Sequence, residues 1–416
     1  MPASPSTARA INDRLALRLL QREGPLTAGQ LKQLTGLSRP TVADLVERLT
    51  ASGLIEMVGE SGAQRRGPNA RLYGIVGDRA HLAALDVRLE SVSVLVSDLV
   101  GRVLAEASVP IDADAGTGPA VEQAVALVER AVKEAGARAT SPEAEGVQRR
   151  EREPGPVREW GSLHTVGIGA PGLIDPATGE LRNTTGLPAW HRSLVAALQE
   201  RLPDARVVVE NETNLAALAE MRDGAARDRD TFVLLWLDMG IGAAVVLDGA
   251  LRRGASGGAG ELGFLPVPGT RGLPSATDCE GGFHSLAGAA AVLELARECR
   301  VSGIEGAVDG ATAAEGVRWA VATVADARAA RFLDALADRL ALGVASVVAL
   351  LDPGCVVLGG EVGQAGGEEL AVRVAERIAR MSPLPAEVRP SVLGDTAVLR
   401  GALLTAQDGA QDELFG

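Results

Sequence analysis

The chain has 416 residues, of which 46% are hydrophobic and only 2% aromatic, so a core of two or three domains must be built from Ala, Val and Leu. No apolar run approaches the roughly 18–20 residues of a membrane span, and the N-terminus has no apolar signal segment, so we expect a cytoplasmic protein without a membrane partner. The 3 cysteines are scattered without a CxxC pair, which excludes a disulfide framework.

The net charge of −13 is unevenly distributed along the chain. Residues 1–76 contain 10 Lys and Arg against 6 Asp and Glu, a net charge of +4, whereas the remainder contains 31 against 48, a net charge of −17. A small basic segment before a large acidic one indicates a DNA-contacting module joined to a unit that does not contact DNA. We therefore predict two units, a head over 1–76 and a body over 77–416.

Apolar spacing predicts three helices in the head. The second opens at Thr27, with Gln30 in the capping-box position, and ends at Gly36. The third begins at Ser38, where the following Pro40 is tolerated in the first turn. The side chains predicted to face the core of the head are Ile11, Leu15, Leu19 and Leu20 of the first helix, Leu31 and Leu34 of the second, and Val42, Leu45, Val46 and Leu49 of the third.

The short connection between the second and third helices matches a helix-turn-helix, whose second helix lies in the major groove of DNA. Two strands and a Gly-rich turn follow, which would form a basic wing able to reach phosphates or the minor groove. We predict a winged helix-turn-helix that binds double-stranded DNA; the alternative is a three-helix protein-interaction module with solvated arginines. The predicted DNA-contacting residues are Ser38, Arg39 and Thr41 of the third helix and Arg65, Arg66 and Arg71 of the wing.

The body begins with alternating strands over 81–111 and a helical run over 118–139. Residues 140–160 are charged and rich in Pro and Gly, which indicates a flexible surface insertion. Further on, Val207, Val208 and Val209 predict a buried strand with Glu210, Asn211 and Glu212 at its C-terminal end, where α/β folds commonly bind ligands. Glu212 could be a catalytic base, a sugar-binding group or the remnant of one.

Four stretches of the body together resemble the ROK family, which joins sugar-responsive repressors and sugar kinases. They are GIGAPGLID (167–175), VENETNLAALAE (209–220), GIGAAVVLDGALRRGASGGAGELGF (240–264) and LLDPGCVVLGGEV (350–362). The resemblance covers nearly the whole chain, and the winged helix makes the chain similar to the repressor branch. It implies an α/β body of two actin-like (ribonuclease-H-like) lobes with a sugar site in the cleft: 77–195 and 385–416 in one lobe, 196–384 mainly in the other.

The resemblance also implies that kinase activity has been lost. Family kinases have an Asp-x-Gly-x-Thr type turn, but here Arg88 stands in place of the glycine and Glu90 in place of the hydroxyl, so side chains intrude where backbone would approach a phosphate. Asp238 and Met239 replace the first residues of the second phosphate loop. Glu212 replaces an Asp, a shift of about 1 Å that can cost on the order of 100-fold in rate. We expect no enzyme activity, no catalytic residues and no cofactor.

The family often has a structural zinc held by one His and three Cys. Phe264 stands in place of that His. Ser275, Thr277 and Gly282 fall at the Cys positions, with Cys279 between them, so we expect no metal.

The sugar contacts of the family are retained in part. The alternative is that these residues have only local structural roles: Asn211 and Glu212 would cap a helix, Glu261 would serve a turn, and His284 would be a structural histidine. The residues to which the resemblance assigns ligand binding are Asn183, Asn211, Glu212, Glu261 and His284.

The sequence therefore predicts a DNA-binding transcriptional regulator, a repressor, whose body binds a carbohydrate or a related metabolite. It would act as a homodimer or tetramer on a roughly palindromic operator. Two alternatives remain open. One is an active ATP-dependent sugar kinase with an appended DNA-binding head, and the other is a ligand-independent regulator whose body serves only for dimerisation.

Overall fold

The computed structural model describes residues 5–61, 70–112, 114–139, 163–182, 187–270, 272–276, 280–302 and 304–415. The predicted insertion at 140–160 lies outside the described residues. So do five residues that the sequence singled out, namely Arg65, Arg66, Asn183, Thr277 and Cys279.

The head is a winged helix, as predicted. Its elements are α1 (Pro5–Glu23), β1 (Leu26–Thr27), α2 (Ala28–Thr35), α3 (Arg39–Ala51), β2 (Ile55–Ser61) and β3 (Ala70–Ile75). The three strands form an antiparallel sheet in the order β1-β3-β2. The capping box predicted at Thr27 is present, because its Oγ1 accepts from the Gln30 N–H (3.2 Å) and its own N–H donates to Gln30 Oε1 (2.9 Å).

Three of the side chains predicted to line the core of the head are exposed. Ile11 and Leu15 of α1 are 56% and 40% exposed, and Leu34 of α2 is 48% exposed. Among the side chains of the 19-residue α1 that the structure describes, those that reach the core lie in its C-terminal half, where Ala16 and Leu17 are fully buried. The prediction was therefore wrong for these three positions, while the buried face predicted for α3 is confirmed.

The first lobe of the body is built on a five-stranded sheet in the order β6-β5-β4-β7-β8. The strands β4, β5 and β6 are antiparallel, and β7 and β8 continue parallel to β4. Its elements in chain order are β4 (His81–Val87), β5 (Ser91–Asp98), β6 (Val103–Pro110), α4 (Thr117–Ala139), β7 (Leu163–Ala170), α5 (Ala189–Arg201), β8 (Arg206–Asn211) and α6 (Glu212–Asp223).

The second lobe repeats this arrangement with the sheet order β11-β10-β9-β12-β13. Again three antiparallel strands are followed by two parallel ones. Its strands are β9 (Phe232–Leu237), β10 (Ile241–Leu247), β11 (Ala250–Arg252), β12 (Cys355–Gly359) and β13 (Glu387–Pro390), and the helices from here to the C-terminus are α7 (His284–Ala287), α8 (Ala289–Glu298), α9 (Gly310–Ala322), α10 (Ala327–Leu351), α11 (Gly360–Met381) and α12 (Ala397–Leu414). This duplication agrees with the expected pair of actin-like lobes.

The boundaries between the lobes differ from the predicted ones. Strand β8 (Arg206–Asn211) belongs to the first sheet, although 196–384 was assigned mainly to the second lobe, and β13 (Glu387–Pro390) belongs to the second sheet. Only α12 returns to the first lobe, where it packs against β4, β7 and α6. The reason is pairing: β8 extends β7 in parallel register, and β13 does the same for β12.

The core contains few aromatic rings, as the composition requires. Phe232, Phe283 and Phe332 are among its largest fully buried side chains, and the remainder is mostly Leu, Val and Ala. Close packing of α12 depends on glycine, because a Cβ at Gly167 of β7 would lie 2.3 Å from the carbonyl oxygen of Ala402. None of the helices in the described ranges is long and apolar enough to cross a membrane.

Candidate ligand cleft and DNA-binding face

Carboxyl groups from several elements face one another in the cleft between the two lobes. Asp86 lies near the end of β4, Glu212 opens α6 directly after β8, and Asp238 follows β9. The charges of Asp86, Asp238 and Glu261 all act on Glu212. The cleft therefore gathers acidic side chains that are far apart in the sequence.

Asn211 is the N-cap of α6. Its Oδ1 accepts from the N–H groups of Thr213 (2.9 Å) and Asn214 (3.3 Å), and its Nδ2 donates to the carbonyl oxygen of Gly172 (3.0 Å). The capping role that the sequence left open is thus present for Asn211. It also fixes the orientation of the first turn of α6, which begins with Glu212.

Glu212 is half-buried, and its pKa is raised to about 8. Burial is the main cause, and the carboxylates of Asp86, Asp238 and Glu261 raise the pKa further. A carboxyl group with this pKa is mostly protonated at pH 7, so it can both donate and accept a hydrogen bond. Because the carboxyl group is mostly protonated, it would be a poor general base at pH 7.

The buried Glu210 is a structural link that sequence reasoning did not assign. Its Oε1 accepts from the Asn211 N–H and from Asn214 Nδ2, both at 3.0 Å, and its Oε2 accepts from Arg253 Nε at 2.6 Å. Arg253 directly follows β11, so this ion pair joins the first lobe to the second. The signal in the sequence that could have identified Glu210 was its position at the end of a strand.

A glycine-rich loop after β11 closes one side of the cleft. Gly257 and Gly260 have φ of +81° and +93°, where L side chains are strained. A Cβ at Gly257 would lie 2.0 Å from the carbonyl oxygen of Ile174 in the first lobe. This stretch therefore needs glycine in order to pack against the opposite lobe.

Glu261 and His284 lie next to the same loop system. Glu261 precedes a 3-10 turn at Leu262–Phe264 and is exposed, although partial desolvation still raises its pKa. His284 is half-buried, burial lowers its pKa, and a Cβ at Gly240 would lie 3.5 Å from its Cε1. The imidazole thus lies beside the loop that begins with Asp238.

Arg88 occupies the position at which the family resemblance expects a phosphate-loop glycine. Its Nε donates to Asp86 at 3.0 Å, and its Nη1 donates to Glu361 at 3.2 Å. Glu361 lies in the first turn of α11 in the second lobe. The sequence identified Arg88 as a departure from the kinases but not its partner.

Trp190 and His191, at the start of α5, form a buried edge-to-face pair whose ring centroids are 4.3 Å apart. Burial lowers the pKa of His191 to about 4, so its ring is neutral at pH 7. Sequence reasoning did not single out His191, and a lone histidine inside an apolar helix face offers no signal of this kind.

The N-terminal end of α3 forms the candidate DNA-binding face. Ser38 is the N-cap, since its Oγ accepts from the Thr41 N–H at 3.3 Å. The side chains of Ser38, Arg39 and Arg71 are exposed, whereas Thr41 is half-buried.

No group of three or more His, Cys, Asp or Glu side chains suited to a metal ion occurs in the part of the chain that the structure describes. Cys299 and Cys355 are buried free thiols, and Phe264 is exposed at the end of its 3-10 turn.

A winged helix followed by two duplicated α/β lobes around an acidic cleft defines a DNA-binding head on an actin-like body. Residues 156–409 match the ROK family and residues 11–67 match the MarR family. Because the first match spans more than half of the chain, this protein belongs to the ROK family. The resemblance and the fold class inferred from the sequence are thus confirmed.

The proteins to which this chain is similar include both repressors and sugar kinases. The chain is 24% identical to a xylose repressor of Caldicellulosiruptor bescii over 95% of each chain. It is 30% identical to a glucokinase of Halalkalibacterium halodurans over 256 residues, which cover 58% of this chain and 76% of that enzyme. A crystal structure of a ROK family transcriptional regulator, a homolog of the E. coli MLC protein, superposes with a TM-score of 0.74 over 98% of each chain at 19% identity, which shows the shared fold.

Proposed function

We propose that this protein is a sugar-responsive, DNA-binding repressor whose body no longer phosphorylates sugars. The observation that carries the proposal is the joining in one chain of a winged head, with an exposed N-terminal end of α3, to a cleft in which Arg88 is ion-paired at the phosphate-loop position. The similarity to a xylose repressor over 95% of both chains supports the repressor function.

The proposed sugar site lies around the first turn of α6. Glu212, mostly protonated at pH 7, would donate to one sugar hydroxyl and accept from another, and Glu261 and His284 would approach from the second lobe. Asn211 would contact the sugar while its side chain also caps α6. Asn183 is proposed as a further contact.

The competing candidate is an active sugar kinase, which the 30% identity to a glucokinase favours. Two features of the cleft oppose it. The Arg88 guanidinium takes the space next to Asp86, and the Asp238 carboxylate would face incoming phosphate oxygens. We propose that nucleotide binding, and with it catalysis, has been lost.

The proposed assembly is a homodimer or tetramer on a roughly palindromic operator. A symmetric pair of heads matches two half-sites related by a two-fold axis. A ligand would then act by favouring one degree of lobe closure, and hence one spacing of the heads.

DNA binding is tested by replacing exposed arginines of the head. Arg39→Ala together with Arg71→Ala should weaken binding to DNA upstream of the protein's own gene by at least about tenfold, and should reduce the salt dependence of binding. Fluorescence anisotropy at several salt concentrations measures both. Arg201→Ala, which removes an exposed arginine of the body, is the matched control. Unchanged affinity in the head variant would mean that the DNA-binding face is wrongly assigned.

Ligand binding is tested by thermal unfolding against a panel of sugars and sugar phosphates, with Mg-ATP as a separate arm. A ligand at about 100 times its Kd adds roughly 2.7 kcal/mol, which moves the midpoint by several degrees. We expect a shift with one sugar class, loss of that shift in Glu212→Ala, and none with Mg-ATP. A shift with Mg-ATP would support the kinase, and no shift at all would support a ligand-independent regulator.

A further inference from the structure

The guanidinium of Arg88 joins two carboxylates that belong to different lobes. Asp86, whose side chain is 5% exposed, accepts from Nε at 3.0 Å within the first lobe. Glu361, whose side chain is 22% exposed, accepts from Nη1 at 3.2 Å in the second lobe. The Arg88 side chain itself is 37% exposed. One cation therefore bridges the cleft.

Without this cation the surrounding charges would push the lobes apart. Asp238 and Asp395 of the second lobe raise the pKa of Asp86 in the first lobe in addition to the effect of burial, and Arg88 lowers it. Carboxylates of the second lobe thus repel Asp86 of the first lobe across the cleft, and Arg88 offsets that repulsion at close range.

We propose that Arg88 is an internal bridge that holds the two lobes together at the place where a kinase of this fold would hold a nucleotide. Because the chain supplies its own cation at this position, closure needs no bound nucleotide. The ligand at α6 would then determine the balance between open and closed lobes. The proposal deepens the proposed function and rests on it, because closure is the state on which an effector would act.

The bridge has a second, separate counterpart across the cleft. Arg253 and Glu210 pair at the mouth of the glycine-rich loop, so the lobes also meet on the side of α6. Loss of the Arg88 bridge should therefore open the nucleotide side of the cleft while the other contact still limits the movement.

The test measures lobe separation in the full-length protein without sugar or DNA. Bio-orthogonal spin labels replace Ser193 on α5 and Val372 on α11, which are exposed positions on opposite lobes, and double electron–electron resonance gives the distance distribution. Glu361→Gln removes the bridge and leaves the Arg88–Asp86 pair intact. We expect its open fraction to rise about two- to fivefold, as for loss of a partly exposed ion pair.

Arg88→Gln should open the cleft at least as far, because it removes the bridge to Glu361 and also leaves Asp86 without its cation. Adding Glu361→Gln to Arg88→Gln should change little, since the bridge is already lost. If Arg88→Gln fails to fold, because Asp86 then lacks its cation, Glu361→Gln still decides. The matched control is Arg201→Gln, which breaks an Arg–Glu pair inside the first lobe. It should leave the distances unchanged.

Unchanged distances in Glu361→Gln would overturn the proposal, as would equal opening in Arg201→Gln. The result is independent of ligand and operator. If Glu361→Gln opens the cleft but the parent protein binds neither sugar nor DNA, the proposed function is rejected and the bridge proposal is still supported.

Discussion

The carboxyl group of Glu212 links the cleft to the pH dependence of stability. Its pKa is about 8 in the folded protein against 4.5 as the ordinary value. Between these values the folded protein keeps a proton that the unfolded chain releases, so unfolding becomes easier as pH rises. The stability that the group contributes is complete below pH 4.5 and is lost as pH rises through 8.

Glu212→Gln should remove this loss, because the amide stays neutral at every pH. We expect the variant to gain at least about 1 kcal/mol relative to the parent protein between pH 5 and pH 9, or roughly 2–4 °C in unfolding midpoint. Thermal melts across that range measure the difference. Glu200→Gln, an exposed position on α5, should give a flat difference. A flat difference for Glu212→Gln as well would contradict a neutral carboxyl group in the cleft.

At this scale the sequence identifies single residues better than their partners. Asn211 and Glu212 follow from their position at the end of an apolar strand, and Arg88 follows from its departure from the kinase pattern. That strand, β8, was predicted to be buried, but it lies at the edge of its sheet, and Val207 and Val208 are only half-buried. The partner of Arg88 is Glu361, 273 residues further along the chain, and no local pattern reports such a contact. The helix cap at Asn211 was foreseen only as an alternative because capping and ligand binding favour the same residue types.

Among the elements, α12 packs so closely on the first lobe that two glycines are required. A Cβ at Gly401 of α12 would lie 2.0 Å from the carbonyl oxygen of Leu215, in α6. Gly401→Ala should therefore cost about 2 kcal/mol or more, since backbone must move to admit the methyl group. Urea unfolding measures the change.

The control for that substitution is Gly118→Ala in α4, where nothing lies within 4 Å of the added Cβ. It should be neutral or slightly stabilising, because alanine is the better helix former. Equal effects of the two substitutions would mean that the contact between α12 and α6 is looser than described.

Helix periodicity predicts the buried face of α3 correctly and that of α1 only in part. Val42, Leu45, Val46 and Leu49 are the apolar stripe of α3, and all four are buried. In α1 the predicted Leu19 and Leu20 are buried together with Ala16 and Leu17, whereas Ile11 and Leu15 are exposed because they lie before the part of the helix that meets the core. In α2 the predicted Leu31 is buried, and Leu37, beyond the helix, packs against the same core in place of Leu34.

Across the whole molecule, the head is joined to the body through the turn that follows β5. The Leu99 N–H donates to the carbonyl oxygen of Gly77, directly after the head. The Leu99 carbonyl oxygen accepts from Gln407 Nε2 at 3.0 Å and Gln411 Nε2 at 3.3 Å. Both glutamines are buried in α12, so the C-terminal helix steadies the point from which the head extends.

Replacing both Gln407 and Gln411 by Ala should leave the buried Leu99 carbonyl unpaired, at a cost of about 1–3 kcal/mol. We expect faster proteolytic cleavage of residues 76–80 and a lower unfolding midpoint, with DNA contacts of the head itself unaltered. Gln199→Ala, an exposed glutamine of α5, is the control. Cleavage at the parent rate would show that the junction does not depend on this pair.

The return of α12 to the first lobe also determines the order in which the protein can fold during synthesis. The head is complete by Ile75, and β4 and β7 have been made by Ala170, yet the helix that covers these two strands begins only at Ala397. At about 5–20 residues per second, β7 waits on the order of 10–50 seconds with one apolar face uncovered. A nascent chain therefore has a finished DNA-binding head on an unfinished body, and a chain that stops short of α12 would expose the first lobe to aggregation.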